Sequence, residues 1–171
     1  MKDYDYSRMF DDQIKSILKY CSKKLIKIEI STKEQDMKFA RDYTISVREG
    51  SICARVRRGK TFLKTYKDIT IRALCNGNFT ELHKLKAGYG DWYLYCWEDD
   101  NIINNWILFD LNIFRESGLI NNQADCKVNK DGFTGFYSYD IESLFKYDCV
   151  TSYYFDDDIS INTECQLVLA I

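Results

Sequence analysis

Four strand-length runs dominate the middle of this 171-residue chain: ICARVRR (52–58), KDITIRALC (67–75), DWYLYCWED (91–99) and NWILFDLNIF (105–114). They are rich in the β-branched and aromatic residues that suit a pleated, half-buried surface. Between the second and third lies FTELHKLKAG, a short helix with Thr80 or Asn78 to cap it and Gly88 to end it. Strand, helix, strand in that order predicts a crossover from 67–75 to 91–99, and such crossovers belong to α/β sheets. The expected architecture is therefore α/β: a single domain with a central mixed β-sheet flanked by helices.

The flanking segments add to this frame. YSRMFDDQIKSILKYCSKK keeps helical spacing at Met9, Phe10, Ile14, Ile17, Leu18 and Cys21. LIKIEI (25–30) alternates as a strand, and Ser31 with Glu34 resembles a capping box. DYTISVREG-SICARVRR predicts a hairpin turning at Glu49-Gly50, TFLKTYK a connector, and Asp99–Asn104 a polar loop. Farther on come a helical turn within Phe114–Ile120, a polar loop over 121–135, and a strand at FYSYDI. A helix at IESLFKYD, an aromatic segment at CVTSYYF and an edge strand at CQLVLAI complete the reading. No repeat or linker divides the chain, so 1–171 reads as one domain with an acidic, aromatic C-terminal extension from about residue 121.

Several classes are disfavoured by composition. No window approaches the apolar length of a membrane span, and MKDYDYSRMFDD has no apolar core of a secretory signal. Seven cysteines with no CxxC spacing, beside one histidine, argue against a zinc site or a disulfide framework. Reduced thiols and a cytoplasmic location are expected, with no membrane partner. Charge is unevenly spread. Residues 41–72 carry nine basic and three acidic side chains, a net +6, and residues 91–171 carry four and fifteen, a net −11. The first block can meet a phosphate backbone, and the second would be repelled by one.

Asp42 and Asp68 open two of the predicted strands and are the metal candidates. A hard cation such as Mg2+ takes one or two carboxylates plus phosphate oxygens and water, and stabilises in-line displacement at phosphorus. Arg55 and Arg57 share a sheet face, as do Asp68, Thr70 and Arg72, because strand side chains alternate. Arg57 and Arg72 are candidates for holding charge at a reacting phosphate, and Arg55, Arg58 and Lys84 for nucleic-acid contacts. The plainer account is a solvated face with cross-strand ion pairs and aspartates that serve as turn residues. His83, beside Lys84 and Lys86, reads as a surface residue, and Glu81 as an i,i+3 partner of Lys84. Trp92, Tyr93, Tyr95, Trp97 and Trp106 read mostly as core.

Residues 36–115 resemble phage and prophage proteins related to the PD-(D/E)xK nuclease superfamily. The matching elements are Asp36-Met37, Arg41-Asp42-Tyr43, Ala54-Arg55-Val56-Arg57 and Asp68-Ile69-Thr70-Ile71-Arg72. Thr80-Glu81-Leu82 with Lys84, Gly88-Tyr89-Gly90-Asp91-Trp92, and Trp106 with Asp110-Leu111 and Arg115 follow. The resemblance implies an αβββαβ restriction-endonuclease-like core, with Mg2+ as cofactor and Asp42 as the first carboxylate. The superfamily's acidic-x-Lys pair has no counterpart on the strand holding Arg55 and Arg57. The acid's job would pass to Asp68, Glu81 or Asp91, and Arg57 or Arg72 would replace the lysine. Arginine stays protonated, so it can hold charge but not act as a base.

Two functions follow as expectations. One is a metal-dependent endonuclease that binds nucleic acid through 41–72. The other is a non-catalytic anti-defence inhibitor that binds a host defence protein through its acidic C-terminal half, in the manner of an anti-CRISPR protein.

Overall fold

A computed structural model describes residues 6, 8–21, 28–33, 43–46, 49–76, 78–121, 126–157 and 159–161. It is a single α/β domain with a mixed sheet. The main sheet has six strands in the order β1 (Ile28–Ile30), β2 (Tyr43–Ser46), β3 (Glu49–Arg58), β5 (Trp92–Asp99), β6 (Ile102–Asp110) and β9 (Val150–Tyr154). β3 and β5 are parallel, and their other neighbours in this sheet pair antiparallel. A second sheet of three antiparallel strands has the order β4 (Asp68–Cys75), β8 (Thr134–Asp140), β7 (Lys127–Val128).

Each face of the main sheet is covered by a different layer. Helix α1 (Asp11–Cys21) lays Ile14 and Leu18, with Phe10, onto Ile52, Val56, Leu94, Cys96, Trp106 and Leu108. Asp11 and Asp12 in its first turn and Lys19 in its last complement the helix dipole. The opposite face carries Cys53, Tyr93, Tyr95, Trp97, Ile107 and Phe109. It packs against β4 and four short helices: α2 (Lys60–Tyr66), α3 (Glu81–Lys86), α4 (Leu111–Glu116) and α5 (Ile141–Lys146). The two faces are the two parities of β3 and β5, as the period of a strand requires.

The structure corrects several local expectations. The crossover is longer than predicted: β4 does not join the sheet of β5, and the chain returns to it only after α2, β4 and α3, to lie parallel to β3. The segment read as a connector, TFLKTYK, lies mostly within α2, which follows Gly59 at φ 82° and anchors fully buried Leu63. Thr and aromatic residues are weak helix formers, so packing overrides propensity here. Glu49 and Gly50 belong to β3, paired with Ser46 and Ile45, so they are strand residues of the hairpin. A Cβ on Gly50 would come within 2.5 Å of the Trp92 ring, so this glycine serves close packing instead of a turn. The loop expected over Asp99–Asn104 is a tight turn at Asp100-Asn101, both with positive φ, as a type I′ hairpin requires. The 121–135 loop contains β7. Glu34 of the expected capping box and the final CQLVLAI stretch lie outside the described residues.

Residues 127–154 complete both sheets. β8 pairs along all of β4, from Asp68 opposite Asp140 to Cys75 opposite Thr134, and β9 pairs with β6.

Candidate functional site

The alternation of β3 points Arg55 and Arg57 at the layer formed by β4 and α3. Both meet carboxylates there. Arg55 Nη1 lies 2.7 Å from Glu81 Oε2, and Arg57 Nη1 lies 2.9 Å from Asp68 Oδ1. The side chains are largely enclosed, at 28% and 24% exposure for the first pair and 19% and 10% for the second.

Hydroxyls and a backbone amide complete the network. Tyr93 donates its hydroxyl to Glu81 Oε1, Ser138 donates to Asp68 Oδ2, and the Arg72 amide donates to Glu81 Oε2 at 3.1 Å. The Tyr95 hydroxyl accepts from the Thr70 amide at 3.3 Å and lies 2.8 Å from Thr70 Oγ1. Every charged group of this inner layer is thereby matched by an opposite charge or a hydrogen bond, as buried polar groups must be.

Burial on its own would draw the Arg55 pKa down. The Glu81 carboxylate beside it outweighs that and holds it above its ordinary value, so the guanidinium stays charged. Burial, then the Glu81 charge, pushes the Tyr93 hydroxyl well above the ordinary tyrosine value. On the far face, Tyr6 donates to Glu98 Oε1 at 2.6 Å, and burial with that carboxylate raises it to about 12. These two tyrosines set an alkaline limit. The unfolded chain ionises its tyrosines near pH 10, before the folded chain does. Their stability contribution is fully present below about pH 10 and is lost as pH rises through the folded values. Denaturant unfolding followed from about pH 9 to 12 is expected to show this decline, with part of the slope removed by Tyr6→Phe.

The structure sorts the sequence candidates plainly. Arg55, Arg57, Asp68 and Arg72 come together, with Glu81 among them. Glu81 turns to Arg55, in place of the expected pairing with Lys84. Arg58 falls on the other parity of β3 and stacks on Tyr6, 4.0 Å from its ring centre. Asp91 is taken at the opposite end of β3, accepting from the Ser51 amide and hydroxyl at 2.7 and 2.9 Å. His83 is exposed and closes a capping box on α3, its Nδ1 2.8 Å from Thr80 Oγ1. Trp97 and Trp106 are buried, and Asp42 lies outside the described residues. Ser138 and the two tyrosine hydroxyls are network members that sequence reasoning missed, while Thr70 was placed on the right face without a role. The Tyr-x-Tyr spacing of β5 placed both rings on the arginine face, but nothing local marks Ser138.

A divalent cation would need carboxylate oxygens released from other partners. Asp68 and Glu81 each already hold a guanidinium and a hydroxyl. Among the described residues no three His, Cys, Asp or Glu side chains form a metal-holding group. Asp68 and Glu81 are thus both engaged by arginine, and Asp42, the other metal candidate, lies outside the described residues.

Beside the network opens a cleft of about 340 Å³, lined among others by Arg55, Thr70, Arg72, Asn129, Thr134 and Phe136. Asp131 also lines it. Its carboxylate accepts from the Phe133 and Thr134 amides, both at 2.9 Å, and from the Thr134 hydroxyl at 2.6 Å. These hydrogen bonds, first among them that of the Thr134 side chain, hold its pKa below the usual carboxylate range.

No protein-family model and no curated protein matches the chain. Among the described residues no helix is long and apolar enough to cross a membrane.

Proposed function

We propose that the protein works by binding a basic partner and not by cleaving nucleic acid. A host defence protein whose own surface is built to hold nucleic acid is the partner class that fits. The observation that carries this reading is the fate of the charges. Two cations of the basic 41–72 block, Arg55 and Arg57, are consumed inside the domain by Glu81 and Asp68. Acidic groups instead collect at one end of the main sheet. Asp99 and Asp100 form the β5–β6 tip, and Asp156 and Asp157 follow β9 alongside β6, where the Asp156 amide donates to Asn105 Oδ1 at 2.9 Å. Helix α1 reaches the same tip through Gln13, which donates to the Asn101 carbonyl at 2.9 Å; exposed Asp12 beside it pairs with Lys15 at 3.7 Å. Complementary potentials of this kind steer association and select partners.

The scaffold we assign to this reading is the restriction-endonuclease-like core. Its support is the order α1, β1–β2–β3 as an antiparallel meander, then a helical crossover to parallel β5. β4 is an insertion in that crossover, and its sheet partners β7 and β8 come later in the chain. Resemblance of 36–115 to phage and prophage proteins related to the PD-(D/E)xK superfamily supports the same assignment.

Purified protein is expected to capture a basic partner from host lysate in a complex that salt weakens. The triple change Asp99→Asn, Asp100→Asn and Asp157→Asn is expected to weaken that complex by about tenfold or more, as the loss of several charges from a steering patch implies. Salt-dependent binding of nucleic acid by the purified protein would overturn the proposal. So would Mg2+- or Mn2+-dependent nicking that Asp42→Ala abolishes.

A further inference from the structure

We infer that the outer edge of β9 is a docking site for an extended, basic segment of the partner, added to the main sheet as a further strand. This rests on the partner reading above and names how that partner is held. β9 ends the order of the main sheet, and among the described strands it pairs with β6 alone. Among the described residues, the main chain of Thr151–Tyr154 bonds to β6 and to no other segment. Such an edge presents amides and carbonyls to an incoming chain. Sheets commonly blunt an edge with lysine, proline or an inward charge, and VTSYY carries none of these. The shift in its pairing falls between Leu108 and Phe109, so Ser152–Tyr154 keep an unbroken register.

Exposed aromatic side chains stand beside this edge. Tyr154 is 54% exposed although it lies opposite buried Trp106. Tyr20, near the end of α1, is 73% exposed and meets the Trp106 ring edge-on at 6.3 Å. Cys21 bonds to the Ser152 side chain and keeps this end of α1 against β9. A tyrosine with an apolar body resting on another ring and a wet hydroxyl is a common anchor of an interface.

Charge selects the occupant. Asp99 and Asp100 at the β5–β6 tip and Asp157 after β9 are exposed at the end of the edge where Tyr154 lies. Among the described residues none of these three carboxylates is bonded. Lysine or arginine at the matching end of an added strand meets them, while an uncharged, alternating stretch lies along Thr151–Tyr154. A second copy of the chain does not supply this. The charged residues nearest its own β9 are Asp148 and Asp156, so copy-on-copy pairing brings carboxylate toward carboxylate.

The test is amide chemical-shift titration and hydrogen exchange of the whole chain with an acetylated heptapeptide, a pair of lysines followed by alternating valine and threonine. The peptide is expected to bind with a Kd on the order of 0.1–1 mM. It is expected to shift amides of 151–157 and to slow exchange of the β9 amides that face away from β6. Glutamates in place of its lysines are expected to weaken it by about tenfold or more. Methylating its backbone nitrogens, which removes the ladder donors, is expected to do the same. Tyr154→Ser is expected to weaken it by about tenfold, with a dispersed spectrum as the check on folding. Equal binding of the methylated peptide overturns strand addition, and equal binding of the glutamate peptide overturns the basic occupant. Slow exchange of these β9 amides in the dilute free chain would mean that the chain covers its own edge. Slow exchange only at high concentration would mean that a second copy does, and either result overturns the proposal. Failure here is separable from failure of the partner reading. If the peptide leaves β9 unmoved while Asp99→Asn, Asp100→Asn and Asp157→Asn still weaken the host complex, the partner docks elsewhere and this inference falls. If the peptide binds β9 but no salt-sensitive host complex forms, the edge stands and the partner reading falls.

Discussion

Glu81→Ala is expected to cost about 3–5 kcal/mol, enough to unfold a domain of ordinary stability or bring it to the edge. Glu81 is the hub of the inner layer. It accepts from Arg55, from the Tyr93 hydroxyl and from the Arg72 amide, so three elements converge on one carboxylate. Removing it leaves a guanidinium at 28% exposure without its counter-ion, and a fully buried tyrosine hydroxyl without its acceptor. The cost arises mainly from those stranded groups and less from the pair's own net attraction. Glu81→Gln keeps an acceptor for the hydroxyl but loses the charge, so its cost is expected to be about half as large. Urea unfolding at neutral pH measures both. A Glu81→Ala midpoint within about 1 kcal/mol of the parent would show that this carboxylate does not hold the layers together.

Arg57→Ala is expected to be comparably severe, again about 3–5 kcal/mol. Its partner Asp68 is only 10% exposed, and alanine would strip that carboxylate of its counter-ion while keeping the bond from the Ser138 hydroxyl. The informative companion is the double change Arg57→Met with Asp68→Leu. Replacing both charges with apolar groups of similar size is expected to recover most of the loss, because neither is then stranded. Recovery measured in a double-mutant cycle would assign the pair to register and layer docking. A double variant as unstable as Arg57→Ala would mean that Arg57 acts through contacts other than Asp68.

The positions of several elements were legible in the sequence because their signals are local. Spacing in 9–21 marks α1, alternation marks β3 and β4, and apolar, aromatic runs mark β5 and β6. Thr80 and Gly88 bracket α3. The face shared by Arg55 and Arg57, and that shared by Asp68, Thr70 and Arg72, follow from strand parity alone. α2 was missed because its helix rests on burying Leu63, a tertiary reward that residue propensities do not carry. Gly50 was misread because a glycine that makes room for the Trp92 ring looks, in sequence, like one that makes a turn.

What the sequence determined by itself is the α/β class, the parity of each strand and the set of charges available. Only the tertiary structure decided where those charges went. Arg55 and Arg57 looked like part of a surface for phosphate, yet β4 and α3 fold over them and supply Asp68 and Glu81 from 11 and 26 residues away. The physical reason is that a cation enclosed between layers must be neutralised by whatever carboxylate the topology brings near. Topology also split β4 from β5 into separate sheets, since β8, which begins only at Thr134, supplies the pairing strand for β4. Two arginines of the basic block thus became part of an internal polar layer, while Asp99, Asp100 and Asp157 stay exposed at one end of the main sheet.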